Sequence, residues 1–146
     1  MASQADAEIV MRLYDMRRED VMRQARNFMA GEFWPDNPSD VQKLMNAWGT
    51  QENAYYRQVT SYWEMAASLP LRGAVDPDLF SDWSGEMFFI FSKMFPFLTE
   101  LRELTKNPKM FGNIETFINS KPMYQEKLQA FTARTQKMKA ARAGMK

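Results

Sequence analysis

The most apolar stretch of the sequence is GEMFFIFSKMFPFLTELREL, which runs from Gly85 to Leu104. At about 100° per residue, the period of an α-helix, most of its large apolar side chains fall on one face. That predicted stripe consists of Met87, Ile90, Phe91, Met94, Phe97, Leu98, Leu101 and Leu104. A helix that is apolar on nearly all sides must be covered on nearly all sides. We therefore interpret this segment as the central helix of a bundle.

Three phenylalanines of this segment, Phe88, Phe89 and Phe95, fall outside the stripe. Leaving each of them in water would forfeit about 1.5–3 kcal/mol, so something must cover them. The predicted cover is a short helix that begins at Pro77, together with the last helix of the chain. The alternatives are a self-association patch or an apolar pocket at these three residues.

The composition bounds the possible functions. At 146 residues, with 45% apolar and 25% charged residues, the chain is predicted to form a single helical domain over 1–146. It contains no Cys and no His, which excludes disulfides, thiolate chemistry and histidine as a general base or metal ligand. We predict no cofactor, no metal and no catalysis. The sequence shows neither a secretory signal nor an apolar run of about 18 residues, so we expect a cytoplasmic location and no transmembrane helix.

Turn and cap residues divide the rest of the chain into helices. We predict a first helix from about Ala5 to Ala30 and a second from an N-cap at Ser39 to about Leu69 or Arg72. A break or bend is expected at Trp48-Gly49-Thr50. Asp76 and Pro77 predict a short helix to about Trp83, and Pro96 predicts a kink in the central helix. Further helices are predicted over Pro108–Asn119 and from Pro122 onward. The predicted fold is all-α, a bundle of about four to five helices around Gly85–Leu104.

Two charged residues interrupt predicted apolar faces. Arg17 lies near the centre of the stripe of the first helix, between Tyr14 and Val21, and Glu52 projects toward the apolar side of the second. Arg17 either extends past the edge of the core or needs an acidic partner. We hypothesise that Arg17 and Glu52 form an ion pair between the two helices, or that both contact a bound ligand.

Positive charge is concentrated at the C-terminal end. Residues 121–146 contain seven basic residues and one acid, a net charge of +6, which leaves −5 for the rest of the chain. The candidate patch for an anionic membrane or nucleic acid consists of Lys127, Arg134, Lys137, Lys139 and Arg142. The alternatives are a solvated helix end, favoured by the helix dipole, or a contact with the acidic part of the chain. The end from 134 to 146 is expected to be frayed.

The segment from Tyr62 to Phe117 carries a pattern of turn and cap residues. It comprises Arg72-Gly73, Asp76-Pro77-Asp78-Leu79-Phe80, a long helix ending near Arg102, Asn107-Pro108, and Glu115 close to Phe117. This pattern resembles a bacterial all-helical family known as a domain of unknown function. The resemblance implies an α-helical hairpin core, and it supplies no reaction, cofactor or catalytic residue.

Three functions follow from these observations. The first is a non-catalytic helical interaction or scaffold domain that self-associates into a homo-oligomer. The second is a binding module for a small apolar or amphipathic ligand in a pocket lined by Met and Phe. The third is a peripheral binder of an anionic membrane or nucleic acid through the basic C-terminal helix.

Overall fold

The computed structural model describes residues 1–145, and over that range the chain is all-helical, with no β-strand. The predicted all-α bundle is thereby confirmed. A single 3-10 turn, Phe95–Phe97, joins the sixth helix to the seventh. In chain order the helices are α1 (Gln4–Met16), α2 (Asp20–Gly31), α3 (Pro38–Asn46), α4 (Gln51–Leu71), α5 (Pro77–Asp82), α6 (Gly85–Met94), α7 (Leu98–Thr105), α8 (Gly112–Asn119) and α9 (Pro122–Gly144).

The predicted central helix is interrupted where the sequence indicated, at Pro96. α6 ends at Met94, the 3-10 turn takes up the proline, and α7 continues the chain. Proline causes this change because it has no N–H for the helix ladder and its ring clashes with the preceding turn. Of the eight side chains in the predicted stripe, six are buried, while Phe97 is half-buried and Leu104 is 50% exposed. α6 packs against α9 and α2, at the centre of the bundle.

The prediction of one continuous first helix is wrong, because the chain breaks between α1 and α2. Glu19 has an extended backbone, and its carboxylate accepts hydrogen bonds from the N–H groups of Val21 and Met22 at 3.0 and 2.9 Å. A side chain that caps backbone donors in this way starts a new helix.

The break also changes which side of these helices faces the core. Tyr14 and Val21, both placed on the predicted stripe, are 48% and 49% exposed. The buried side chains are those of Leu13, Met22, Ala25 and Met29; of these, Ala25 belongs to the predicted stripe, and Leu13 and Met29 were placed at its edges. A pattern read at a constant 100° per residue across the break assigns the wrong face to the residues on either side of it.

The predicted second helix is divided at the expected place. Gly49 has a positive φ of 88°, and Thr50 then caps α4 by accepting a hydrogen bond from Asn53 N at 3.2 Å. The cap predicted for α3 is two residues too late. Asn37, rather than Ser39, is the N-cap, and its side chain accepts a hydrogen bond from the backbone of Asp40.

α4 is 21 residues long, and one polar residue on it organises a neighbouring helix. Glu64 accepts hydrogen bonds from Asn113 N and Ile114 N, both at 3.0 Å, and so caps the start of α8. Carboxylates at this position also interact favourably with the helix dipole. α8 is therefore fixed against α4, with Phe117 and Ile118 buried.

Candidate functional site

An apolar groove between α1 and α5 is the strongest candidate for a binding site. Its volume is about 290 Å³. Met11 and Trp83, on opposite walls, are 63% and 62% exposed. Large apolar side chains clustered on a surface are typical of an interaction or ligand site. The residues that line the groove are Ala7, Val10, Met11, Tyr14, Arg17, Leu79 and Trp83.

Local sequence signals place Trp83 at this groove. Asp76 is the N-cap of α5, as predicted, and its carboxylate accepts a hydrogen bond from Leu79 N at 2.9 Å. Pro77 occupies the first turn, where its missing N–H costs nothing. In the short helix that results, Phe80 is buried in the core, while Leu79 and Trp83 line the groove.

α1 forms the other wall and is tied to the bundle near both of its ends. Near its start, Asp6 Oδ1 accepts a hydrogen bond from Asp76 N at 3.2 Å, and a hydrogen bond from the Ser3 backbone lowers the pKa of Asp6. Near its end, the Tyr62 hydroxyl donates to the Leu13 carbonyl at 2.6 Å. α1 is therefore held to the N-cap of α5 near its start and to α4 near its end.

Arg17 lies at one end of the groove, in the turn that separates α1 from α2. The residue is only 8% exposed. Its guanidinium donates one long hydrogen bond, from Nη1 to the Trp83 carbonyl at 3.4 Å. Within residues 1–145, its buried Nε has no hydrogen-bond partner. The guanidinium carbon lies 5.1 Å from the ring centre of Trp63 and 5.5 Å from that of Tyr14.

A partly buried carboxylate on α6, that of Glu86, is engaged by residues other than Arg17. Glu86 Oε2 accepts a hydrogen bond from Arg26 Nε at 2.6 Å, and Glu86 Oε1 accepts one from Trp63 Nε1 at 2.9 Å. Arg26 also donates to the Arg17 carbonyl at 3.2 Å. Arg26 thus has a carboxylate partner, whereas the ion pairs among residues 1–145 do not include Arg17.

The hypothesis that Arg17 and Glu52 form an ion pair is wrong. Glu52 lies in the first turn of α4 and is exposed to solvent. The break at Gly49 places Glu52 at the start of a new helix rather than within a continuous one. The two residues are not brought together, and Glu52 does not line the groove.

The three phenylalanines outside the central stripe have different environments. Phe88 is fully buried, and Phe131 of α9 stacks on it at a centroid distance of 6.1 Å, as the predicted cover by the last helix requires. Phe89 is half-buried against Trp34. Phe95 is 37% exposed and lines a wide, open depression between the 3-10 turn and α9. They do not share a pocket, so the apolar groove lies elsewhere than predicted.

A buried lysine, Lys93, is a feature that the sequence analysis missed. It is 4% exposed, and its Nζ donates to the carbonyls of Met29, Ala30 and Phe33 at 2.8, 3.2 and 2.8 Å. Burial, together with the positive charge of Arg142, lowers the pKa of Lys93 to about 7. The three carbonyls lie at or just beyond the C-terminal end of α2. These contacts explain Lys93 as a structural cap of that helix. The available signal was the one cation in the run from Gly85 to Met94, the more apolar half of the predicted central helix.

The basic residues predicted as an anionic-partner patch mostly contact the chain itself. Lys137 is exposed, and the other four engage carbonyls, aromatic rings or a carboxylate. Those contacts are Lys127 with Ser81 and Phe88, Arg134 with Phe131, Lys139 with Pro35 and Asp36, and Arg142 with Trp34. The end that was expected to be frayed, 134–146, is helical as far as Gly144, and Lys146 lies outside the described residues.

Over residues 1–145, the Asp and Glu side chains form no cluster of three or more that could hold a metal ion. None of the helices in that range combines the length and the apolar character needed to cross a bilayer.

The comparison with known families decides the classification. The sequence model of a family described as "Domain of unknown function (DUF4760)" matches residues 2–120. The chain belongs to this family. The match contains both walls of the groove and Arg17, and it stops just before α9 begins at Pro122. No curated protein and no solved structure matches the chain significantly.

Proposed function

We propose that this member of the family is a non-catalytic binding domain, and that the groove between α1 and α5 holds a small apolar or amphipathic ligand. The observation that carries the proposal is the lining of the groove, in which Arg17 is the one charged residue among apolar and aromatic side chains. Covering Trp83 and Met11 removes large apolar area from water, and each such side chain contributes about 1.5–3 kcal/mol when fully buried.

The size of the groove indicates the size of the ligand. Ligand pockets usually have volumes of about 300–1,000 Å³, and this groove, at about 290 Å³, stands at the lower limit. A single aliphatic chain or a small ring system fits such a volume better than a large cofactor does.

The proposal of a non-catalytic role rests on the chemistry that the groove offers. A guanidinium keeps its proton in proteins, so Arg17 serves to bind an anion and not to abstract a proton. The remaining lining provides no carboxylate and no amine, and the chain as a whole has no His or Cys. Carboxylate, imidazole and amine general bases and thiol nucleophiles are therefore absent from this site.

A titration with a neutral amphiphile tests the proposal. Decanol is added below its solubility limit, and tryptophan emission is followed in the wild type and in Trp83→Phe, which removes the reporter at the groove. We expect saturable binding and a spectral change that Trp83→Phe abolishes. A native mass measured by light scattering, with and without decanol, shows whether a second copy of the chain occupies the groove instead.

A pair of variants on α1 provides the control. Ala7→Phe places a large ring in the groove, whereas Gln4→Phe adds the same ring to an exposed position of the same helix outside the groove. Binding should be lost in Ala7→Phe and retained in Gln4→Phe. Equal binding by both variants, or no saturable binding by the wild type, would contradict the proposed site.

A further inference from the structure

We infer that the ligand of this groove is an anionic amphiphile, a single apolar chain that ends in a carboxylate, and that Arg17 binds its anionic end. The inference rests on the proposed function and adds the identity of the polar group. It depends on a different observation, the incomplete hydrogen bonding of a buried guanidinium.

Arg17 has more donors than the protein uses. A guanidinium carries five N–H donors, and the described contacts of this one are a single hydrogen bond of 3.4 Å from Nη1. The unpartnered Nε is buried, although buried polar groups are nearly always hydrogen-bonded. A buried donor without a partner costs free energy, which an acceptor on a ligand would recover.

The charge of Arg17 is also not neutralised by a carboxylate in the range 1–145. Arg26 pairs with Glu86 and Arg102 pairs with Glu115 at 3.0 Å, so the two other arginines that are partly buried each have an acidic partner. The aromatic faces of Trp63 and Tyr14 stabilise the cation, but they offer no lone pair to its N–H groups. What Arg17 lacks is an anion that accepts hydrogen bonds.

A carboxylate matches this requirement in geometry. Its two oxygens accept parallel hydrogen bonds from the fork of a guanidinium, which gives strength and orientation together. Nε is covered from solvent, so a carboxylate reaches it only after the Arg17 side chain rearranges. The one hydrogen bond of the guanidinium is long, 3.4 Å to the Trp83 carbonyl, which favours such a rearrangement.

The walls of the groove favour a simple chain over a peptide. Both walls are helices, whose backbone groups are paired internally, so an extended peptide would find no partners for its own N–H and C=O groups. A partner helix would need a longer surface than the six residues of α5 provide. An aliphatic chain makes no such demand and can lie along Met11, Leu79 and Trp83.

The experiment compares an acid with its matching alcohol. Octanoate, decanoate and dodecanoate, below the concentrations at which they form micelles, are titrated beside octanol, decanol and dodecanol by calorimetry at low salt. The proteins are the wild type, Arg17→Met and Arg18→Met. Arg18→Met is the matched control, because it removes a positive charge from the same turn at an exposed position that does not line the groove.

We expect the wild type to bind each acid at least about tenfold more tightly than the alcohol, as hydrogen bonds to charged groups allow. Arg17→Met should lose that preference and bind the acid no more tightly than the alcohol, while circular dichroism and thermal unfolding show that the variant is folded, and Arg18→Met should keep the preference. Equal affinity of the wild type for acid and alcohol would overturn the inference and leave the proposed function standing. Binding of neither would overturn both. An acid preference that Arg17→Met retains would also overturn the inference.

Discussion

Replacing Glu86 by Gln is predicted to destabilise the bundle by about 2 kcal/mol, more than any exposed ion pair contributes. Glu86 joins three helices, because its carboxylate accepts hydrogen bonds from Arg26 of α2 and Trp63 of α4. In Glu86→Gln one oxygen remains for Trp63, but the amide NH₂ then faces the Arg26 N–H, where two donors meet and no acceptor is present. The variant therefore loses both the charge and a hydrogen bond while keeping nearly the same volume.

The magnitude follows from the exposure of the pair. Exposed ion pairs contribute about 0–1 kcal/mol, whereas removing one partner of a fully buried pair costs about 3–5 kcal/mol. The side chains of Arg26 and Glu86 are 32% and 15% exposed, so solvent screens them only in part. An intermediate loss of about 2 kcal/mol corresponds to a melting temperature about 4–8 °C lower for a chain of this size.

Urea unfolding followed by circular dichroism measures the loss, and a double-mutant cycle of Glu86→Gln with Arg26→Gln isolates the pair. We expect a coupling of about 1 kcal/mol or more between the two sites, with an unchanged dependence on urea concentration. Asp20→Asn is the control, because it removes a pair of similar length, 2.7 Å, whose side chains are 60% and 84% exposed. If Glu86→Gln unfolds at the same urea concentration as Asp20→Asn, or if the cycle shows no coupling, the argument from partial burial is refuted.

Three further predictions concern other elements of the fold. Because burial lowers the pKa of Lys93 from 10.5 to about 7, the folded state binds fewer protons than the unfolded state between those values. The free energy of unfolding should then rise with pH above about 7, by up to about 1.4 kcal/mol per pH unit. Lys93→Met should flatten this rise, measured by urea unfolding from pH 7 to 9. A flat profile for the wild type would mean that the three carbonyls keep the Lys93 amine protonated. Glu64→Ala should cost about 1 kcal/mol, the value of a helix N-cap, measured by thermal unfolding, and an unchanged melting temperature would show that α8 is not held by this cap. Lys106 has a positive φ of 55° at the end of α7, so Lys106→Gly should stabilise the chain by about 0.5–1 kcal/mol. Lys109 has no positive φ, so Lys109→Gly should not stabilise the chain. Equal effects of the two substitutions on the melting temperature would contradict the role of the backbone conformation.

Features that depend on neighbouring residues were predictable from the sequence. The cap at Asp76, the interruption at Pro96 and the break near Gly49 each follow from the chemistry of one or two residues, so no tertiary contact is needed to anticipate them. The buried stripe of α6 and α7 was also predictable from local sequence, because a strongly apolar helix face must be buried whichever element packs against it. The break at Glu19 escaped prediction, since a glutamate within a helical pattern is ordinary and becomes a cap only when the following helix packs separately.

The candidate site shows the limit of the same reasoning. Composition and helical periodicity are enough to predict an all-helical fold, the segment at its centre, and the position of Arg17 against apolar residues. The packing of α5 beside α1, the contact of Arg17 with Trp83 rather than Glu52, and the position of Lys93 at the end of α2 follow from contacts between residues that are distant in the sequence. Periodicity and capping depend on interactions between residues that are close in the sequence. A groove, or a partner for a buried charge, depends instead on which distant helices pack together to bury the most apolar surface.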